Sequence, residues 1–296
     1  MELKMVTNQS IPLTRSLGRP TFTAGLRALG AVMKREWVIF LRYPSWFISL
    51  FIWPIIFPLS YVFTAHALSG KTGIGMTQFQ AATGVQDYTG YIAIGTIIWM
   101  WQNVVLWNIG FSLRNEQLRG TLESNWLSPT WRFSYLLGSS APQLLSMLMF
   151  LTVSAIEFVL VFGVRFEGSL WLTLLALLTA IPSVYGLGFA FASLVINVKE
   201  ANAFAFLVRG MVMVFCGITY PISILPVWMR PIANWLPQTY IIHAIRSASL
   251  SNEGLPGIAG DLKVLALFGA FWLTFGYLVF NWMERRARRT GAIGQY

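Results

Sequence analysis

The chain has 296 residues, of which 56% are hydrophobic and only 11% are charged. A soluble domain carries about 25% charged residues, so this composition excludes an ordinary soluble globule and predicts a membrane protein. The formal net charge of +10 would suit nucleic-acid binding, but membrane proteins also concentrate Lys and Arg in their cytoplasmic segments. One cysteine, Cys216, and two histidines exclude a disulfide framework and a Cys/His metal cluster, and no metal site is predicted.

Six apolar runs are long enough to be membrane-spanning helices. A helix of 21 residues is about 31 Å long, which matches the hydrocarbon thickness of a bilayer, and none of the runs alternates in polarity as a barrel strand would. The predicted fold class is therefore all-α, a polytopic membrane protein with six transmembrane helices. The predicted spans are 45–65, 89–111, 136–162, 170–195, 203–219 and 262–282.

The basic residues orient these spans. Most of the 21 Lys and Arg residues fall in segments that share a side with the N-terminus, so both termini are expected in the cytoplasm. Nucleic acid is therefore not expected as a partner, whereas membrane lipid is. The predicted organisation is a cytoplasmic tail over 1–21, an interfacial helix over 22–44, a six-span domain over 45–282 and a basic cytoplasmic tail over 283–296. We expect a multi-pass protein of the plasma or inner membrane, of bacterial type.

The segment from Phe22 to Arg42 has the pattern of an amphipathic helix. Arg27, Lys34 and Arg35 share one face with Arg42, and apolar residues occupy the other face. Such a helix lies flat on the inner leaflet. It is either a simple surface anchor or an elbow that transmits force from a cytoplasmic partner into the first span.

A short motif after the first span does not predict nucleotide binding. Residues Ser69 to Thr72 read Ser-Gly-Lys-Thr, but Ala65 stands where a phosphate-binding loop requires its first glycine. The motif also follows a membrane span and not a buried strand. The chain is therefore predicted to lack its own ATPase site.

The polar segment between the second and third spans carries the most informative motif. It contains Glu116, Arg119 and the run Gly120-Thr121-Leu122-Glu123, followed by Ser128-Pro129. Glycine can end one helix and threonine can cap the next. This pattern resembles the cytoplasmic loop of the type-two permease family of ABC transporters, although Gln117 replaces the family's usual arginine.

A second match follows the fifth span. Residues 217–246 contain Tyr220-Pro221, Leu225-Pro226-Val227-Trp228, Pro237-Gln238-Thr239-Tyr240 and Ala244-Ile245-Arg246, which is similar to the family's re-entrant external segment. Pro221, Pro226 and Pro237 also forbid one continuous helix here, so two short helices dipping into the outer leaflet are expected, with an ordinary surface loop as the alternative. The external gate is predicted at Pro221, Pro226, Trp228, Pro237, Tyr240 and Arg246.

The resemblance extends from about residue 22 to 282 and implies how the protein is driven. Two separate ATPase subunits would carry ATP and Mg, with no cofactor bound by this chain, and a second permease copy or a paralogue would complete the membrane part as a dimer. The residues implied in coupling to the ATPase subunits are Glu116, Arg119, Gly120, Thr121, Leu122 and Glu123 in the loop, Asn197, Lys199 and Glu200 between spans four and five, and Arg35 and Glu36 in the elbow.

Two helix faces are candidates for the substrate pathway or the dimer interface. Aromatic and amide side chains on a helix face are costly toward lipid, so such faces are expected to point at protein or at a path. The candidates are Trp99, Gln102, Asn103 and Trp107 on the second span, and Asn202, Phe206, Arg209, Met213 and Tyr220 on the fifth. Two intramembrane charges, Glu157 and Arg209, are candidates for an ion pair, and ordinary packing within the bundle is the alternative for each residue.

The function expected from the resemblance is outward transport of an amphipathic small molecule, drug-like or antibiotic-like, or of a lipid. An exporter of a lipid-linked glycan of the polysaccharide or teichoic-acid type is the alternative within the family. A channel or ion-coupled carrier remains outside it, but neither an internal repeat nor several intramembrane acids are evident. An intramembrane enzyme is disfavoured because Glu157 has no base or nucleophile beside it in the sequence pattern.

Overall fold

The protein is all-helical in the part described by the computed structural model, which covers residues 22–43, 45–69, 80–81, 87–127, 131–195, 201–251 and 253–290. The helices in chain order are α1 (Phe22–Arg42), α2 (Ser45–Ser69), α3 (Tyr88–Asn108), α4 (Ser112–Leu118), α5 (Leu122–Leu127), α6 (Phe133–Phe162), α7 (Leu170–Val195), α8 (Ala201–Phe215), a 3-10 turn (Ile222–Ile224), α9 (Arg230–Asn234), α10 (Pro237–Leu250) and α11 (Gly254–Thr290).

Four stretches of helix are long and apolar enough to cross a membrane, within the described residues: Tyr88–Leu118, Phe133–Phe162, Leu170–Val195 and Gly254–Arg286. They correspond to the second, third, fourth and sixth predicted spans. The first and fifth predicted spans are also helical, but their apolar helices, Phe51–Thr64 and Ala201–Phe215, are shorter. A six-span topology therefore stays a prediction for these two helices.

Two boundaries differ from the sequence-based expectation for local reasons. Helix α8, at the fifth predicted span, stops at Phe215 because Gly217 adopts a left-handed φ of 67°, which ends a helix. The last helix begins at Gly254, eight residues before the predicted start, because Pro256 fits the first turn, where no intrahelical N–H bond is lost.

The tightest pair of helices is α7 and α11, which approach through glycines. A Cβ on Gly186 would lie 2.6 Å from the backbone nitrogen of Leu273, and one on Gly276 would lie 2.8 Å from the carbonyl oxygen of Gly186. Small residues permit this backbone approach between membrane helices. The pair forms one wall of the bundle.

The central helix is α3, which contacts α2, α6, α7, α8 and α10. One end of α3 leads into the loop of α4 and α5, and the other end, near Tyr91, meets α10. We call the first the loop end. We call the second the proline end, because the proline-containing segment 217–246 lies there. The amphipathic α1 lies along α6, where Gly138 leaves room for Val32, since a Cβ on Gly138 would approach the Cβ of Val32 to 2.8 Å.

Candidate functional site

The loop end is built as a helix, a turn and a second helix. Gly120, with φ of 71°, ends α4, and its N–H donates to the carbonyl of Gln117 at 3.0 Å. The N–H of Thr121 returns to the carbonyl of Glu116 at 3.0 Å, and the N–H of Asn125 donates to the carbonyl of Thr121 at 3.1 Å. The glycine therefore stops a helix as its position in the sequence predicts.

Glu116 is the centre of this turn. Its Oε2 accepts hydrogen bonds from the hydroxyl of Thr121 at 2.6 Å and from Nδ2 of Asn125 at 2.9 Å. Its Oε1 lies 3.2 Å from Nη2 of Arg35 and 3.8 Å from Nη1 of Arg119. The residue is 2% exposed, so both carboxylate oxygens are held by protein groups.

Arg35 connects Glu116 of α4 to two other helices, α1 and α6. Its Nη2 donates to Oε1 of Glu36 at 2.5 Å and to the hydroxyl of Tyr135, on α6, at 2.8 Å. One guanidinium thus joins α1, α4 and α6. We call Arg35, Glu36, Glu116, Thr121, Asn125 and Tyr135 the coupling cluster. Sequence reasoning missed Asn125 and Tyr135, because nothing in either local pattern shows its link to Glu116.

The predicted coupling residues divide into buried and exposed groups. Glu116 and Leu122 are buried, whereas Arg119, Gly120 and Thr121 are exposed together with Leu118, which is 60% exposed. The turn therefore presents the segment 118–121 to its surroundings. Glu123 lies within α5, but the structure describes only its backbone. Asn197, Lys199 and Glu200 lie outside the described residues.

A second ion pair connects the end of the loop to α11. Nη1 of Arg132 lies 2.7 Å from Oε1 of Glu284. The ring of the adjacent Phe133 packs edge-on against Tyr277 and Phe280. This contact was also missed from the sequence, although Glu284 is the only acid within the basic segment 283–289.

The two faces predicted to line a path meet each other inside the subunit. The guanidinium of Arg209 lies over the ring of Trp99, 4.6 Å from its centroid, and Trp107 packs edge-on against Phe206 at 5.8 Å. Trp99 and Gln102 are buried, and Asn103, Arg209 and Tyr220 are partly buried. Asn202, Phe206 and Met213, also on α8, are exposed.

The candidate ion pair between the two intramembrane charges is not formed. Neither Glu157 nor Arg209 belongs to any of the ion pairs among the described residues. Arg209 packs on Trp99 instead, because an aromatic face attracts a cation. Oε2 of Glu157 is buried, without a hydrogen-bond partner in the described part of the chain.

The proline end contains three short elements where two were expected. Pro221 precedes the 3-10 turn, Pro226 lies between that turn and α9, and Pro237 begins α10. Trp228 is 68% exposed, and the hydroxyl of Tyr240 donates to the carbonyl of Asn234 at 3.1 Å. The depth of these elements in a bilayer stays a prediction.

Arg246 anchors this end to α3. Its Nε and Nη2 donate to the carbonyl of Tyr91 at 3.0 and 2.8 Å, Nη1 donates to Gly217 at 2.8 Å, and Nη2 also donates to Ile218 at 2.6 Å. The guanidinium lies over the ring of Tyr91 at 3.4 Å. A Cβ on Gly95 would lie 2.1 Å from the carbonyl oxygen of Ile218, so only glycine fits there.

The comparisons with known proteins agree with this arrangement. The family model described as ABC-2 type transporter matches residues 27–250, which include most of α1, the loop of α4 and α5, and the proline end through Arg246. A search of curated proteins found no match.

Proposed function

The chain belongs to the ABC-2 type transporter family and is a transmembrane subunit of an ABC transporter, and we propose that it moves an amphipathic small molecule or a lipid outward. Family membership over three-quarters of the chain disfavours a channel, an ion-coupled carrier and an intramembrane enzyme.

One observation carries the proposed mechanism. Glu116 is buried at the turn of the loop and is bonded to Arg35 of α1, to Thr121 and to Asn125. A push on the exposed segment 118–121 therefore reaches the elbow helix and α6 through charged hydrogen bonds, which are the stronger kind. We propose that ATP-driven movement of two ATPase subunits acts here.

The burial of each loop residue suggests whether it contacts the ATPase subunit or holds the loop to the membrane helices. Leu118, Arg119 and Gly120 would contact the ATPase subunit, and Glu116 would hold the loop to the helices that must move. Arg132 and Glu284 would extend the same connection to α11. The segment 197–200 remains a proposed second contact.

A second copy of this chain, or a paralogue, would cover the exposed side of α8. Phe206 is 56% exposed and Met213 is 40% exposed on this helix. Its buried side packs against α3, leaving an apolar surface that is suited to another permease or to lipid. In this proposal the transport path forms where the two copies meet, and the proline end closes it on the outside.

The proposal is tested on the assembled transporter. The subunit is purified from its native membrane with the ATPase subunits that accompany it and is reconstituted in vesicles, and Gly120→Leu is compared with Gly260→Leu. Gly260 has open space around its Cβ position, whereas Gly120 needs a left-handed φ that leucine disfavours.

Gly120→Leu is expected to lose ATPase binding or ATP-dependent transport, and Gly260→Leu to keep both. If no P-loop ATPase accompanies the native protein, or if Gly120→Leu transports at the wild-type rate, the proposed coupling role is wrong.

A further inference from the structure

A cavity lies inside the subunit, beside the coupling cluster. It has a volume of about 240 Å³ and opens between α1, α2, α3 and α6. On α3 it is lined by Trp101, Val105 and Asn108, among others. None of the residues predicted to form a path on α3 or α8 belongs to its lining.

The lining changes from apolar to polar along the cavity. Trp53, Trp101 and Phe150 line it on three different helices, and Asn115 and Arg119 line it at the loop end. Trp101 is seven residues, or about 10 Å, deeper along α3 than Asn108. An apolar depth with a polar mouth is typical of a site for an amphipathic molecule.

Two amide groups in the cavity lining keep hydrogen-bonding capacity that no described residue uses. Nδ2 of Asn108 donates to Oε1 of Gln143 at 3.0 Å. An amide side chain has both a donor and an acceptor, so Oδ1 of Asn108 and Nε2 of Gln143 are not used in this bond. They offer one acceptor and one donor to a ligand.

Glu36 supplies the available charge at the cavity edge. Its Oε1 accepts from Arg35 at 2.5 Å, while its Oε2 has no partner in the described part of the chain. The other acid in the lining, Glu116, has both oxygens engaged. A cation in the cavity would therefore find its carboxylate partner at Glu36.

We propose that this cavity binds an amphipathic amine. The ammonium group contacts Glu36, a polar substituent bonds to Asn108 or Gln143, and the apolar body lies against Trp53 and Trp101. This inference rests on the proposed transport function. It assigns the class of the substrate and a site where the substrate binds before transport, beside the coupling cluster on which the ATPase subunits act.

The test uses three probes that share one apolar body: 4-phenylbutylamine, 4-phenylbutanol and 4-phenylbutanoate. Each is titrated calorimetrically into the purified subunit in phosphatidylcholine nanodiscs, and partition into empty nanodiscs is subtracted. The amine is expected to bind about tenfold more tightly than the alcohol, which corresponds to one charged hydrogen bond, and the carboxylate is expected to bind most weakly.

Variants of three cavity residues test whether the probes bind in the cavity. Glu36→Gln should remove the advantage of the amine and leave the alcohol unaffected, while Arg35 keeps its contacts with Glu116 and Tyr135. Ser146→Trp should fill the cavity and abolish binding of all three probes, with Asn108→Leu as a smaller change if the tryptophan variant unfolds. Glu253→Gln, at the proline end, should bind as the wild type does.

Equal binding of the amine and the alcohol to the wild type would overturn the proposal, as would unchanged binding to Ser146→Trp or, where that variant is unfolded, to Asn108→Leu. Because the titration needs no ATPase subunit, its failure is separate from failure of the transport function. Transport of other amphiphiles without amine binding would contradict only this inference and would leave the proposed transport function standing.

Discussion

Nη2 of Arg35 lies 3.2 Å from Oε1 of Glu116, across 81 residues of sequence, and this contact joins the elbow helix to the loop. The acid is 3% exposed and the base is 38% exposed on their side chains. The loop therefore contacts α1 through a buried acidic side chain. The force-transmitting role of the elbow remains a proposal that its geometry supports.

The Arg35–Glu116 contact should contribute measurably to stability. A double-mutant cycle of Arg35→Met and Glu116→Gln is expected to give a coupling free energy of about 1 kcal/mol, a value reduced because Arg35 is partly solvated. Unfolding in mixed micelles measures it. The cycle of Arg119→Met with Glu116→Gln is the matched control and should be near zero, since that pair is longer and more exposed. Equal energies in both cycles would remove the special role of Arg35.

The anchor at the proline end should tolerate very little change. Gly95→Ala would place a Cβ against Ile218 and Arg246, and such overpacking typically costs about 1 to 3 kcal/mol. Gly30→Ala, in α1, is the control because no atom lies within 4 Å of its Cβ position, and alanine favours a helix by up to about 1 kcal/mol. Thermal unfolding should therefore shift in opposite directions in the two variants.

The orientation of the chain can be tested with cysteines in a Cys216→Ser background. Trp228 and Leu118 are both exposed and lie at opposite ends of the bundle. In intact cells an impermeant thiol reagent should label Trp228→Cys, while Leu118→Cys should react only after the membrane is opened. Labelling of Leu118→Cys from outside would invert the topology predicted from the basic residues.

Local patterns in the sequence were enough to predict the helices and the loop, but they did not predict the contacts between them. Apolar runs are visible without knowledge of neighbours, and Gly120 marks the end of its own helix. Arg35 and Glu116 are far apart in the chain, so their contact follows from packing alone. Arg246 donates its hydrogen bonds to backbone carbonyls. Because every residue has a backbone carbonyl, the residue types in the sequence do not reveal this contact.

The partner of Arg209 could not be chosen from the sequence for the same reason. A carboxylate in another span was the obvious partner by charge, but the structure gives the guanidinium an aromatic ring on the adjacent helix. Cation–π contact and opposite charge are alternative ways to stabilise an arginine, and only the packing of α8 on α3 decides between them.

The central claim is that the coupling cluster carries movement from the ATPase subunits into the membrane helices. The most direct measurement is the amount of substrate moved per ATP hydrolysed by the complete transporter in vesicles, for the wild type and for Arg35→Met. We expect Arg35→Met to assemble and to hydrolyse ATP, with transport per ATP reduced about fivefold, since loss of a partly buried charged contact of about 1 kcal/mol changes an equilibrium by that factor. An assembled Arg35→Met transporter with the wild-type ratio would contradict the claim.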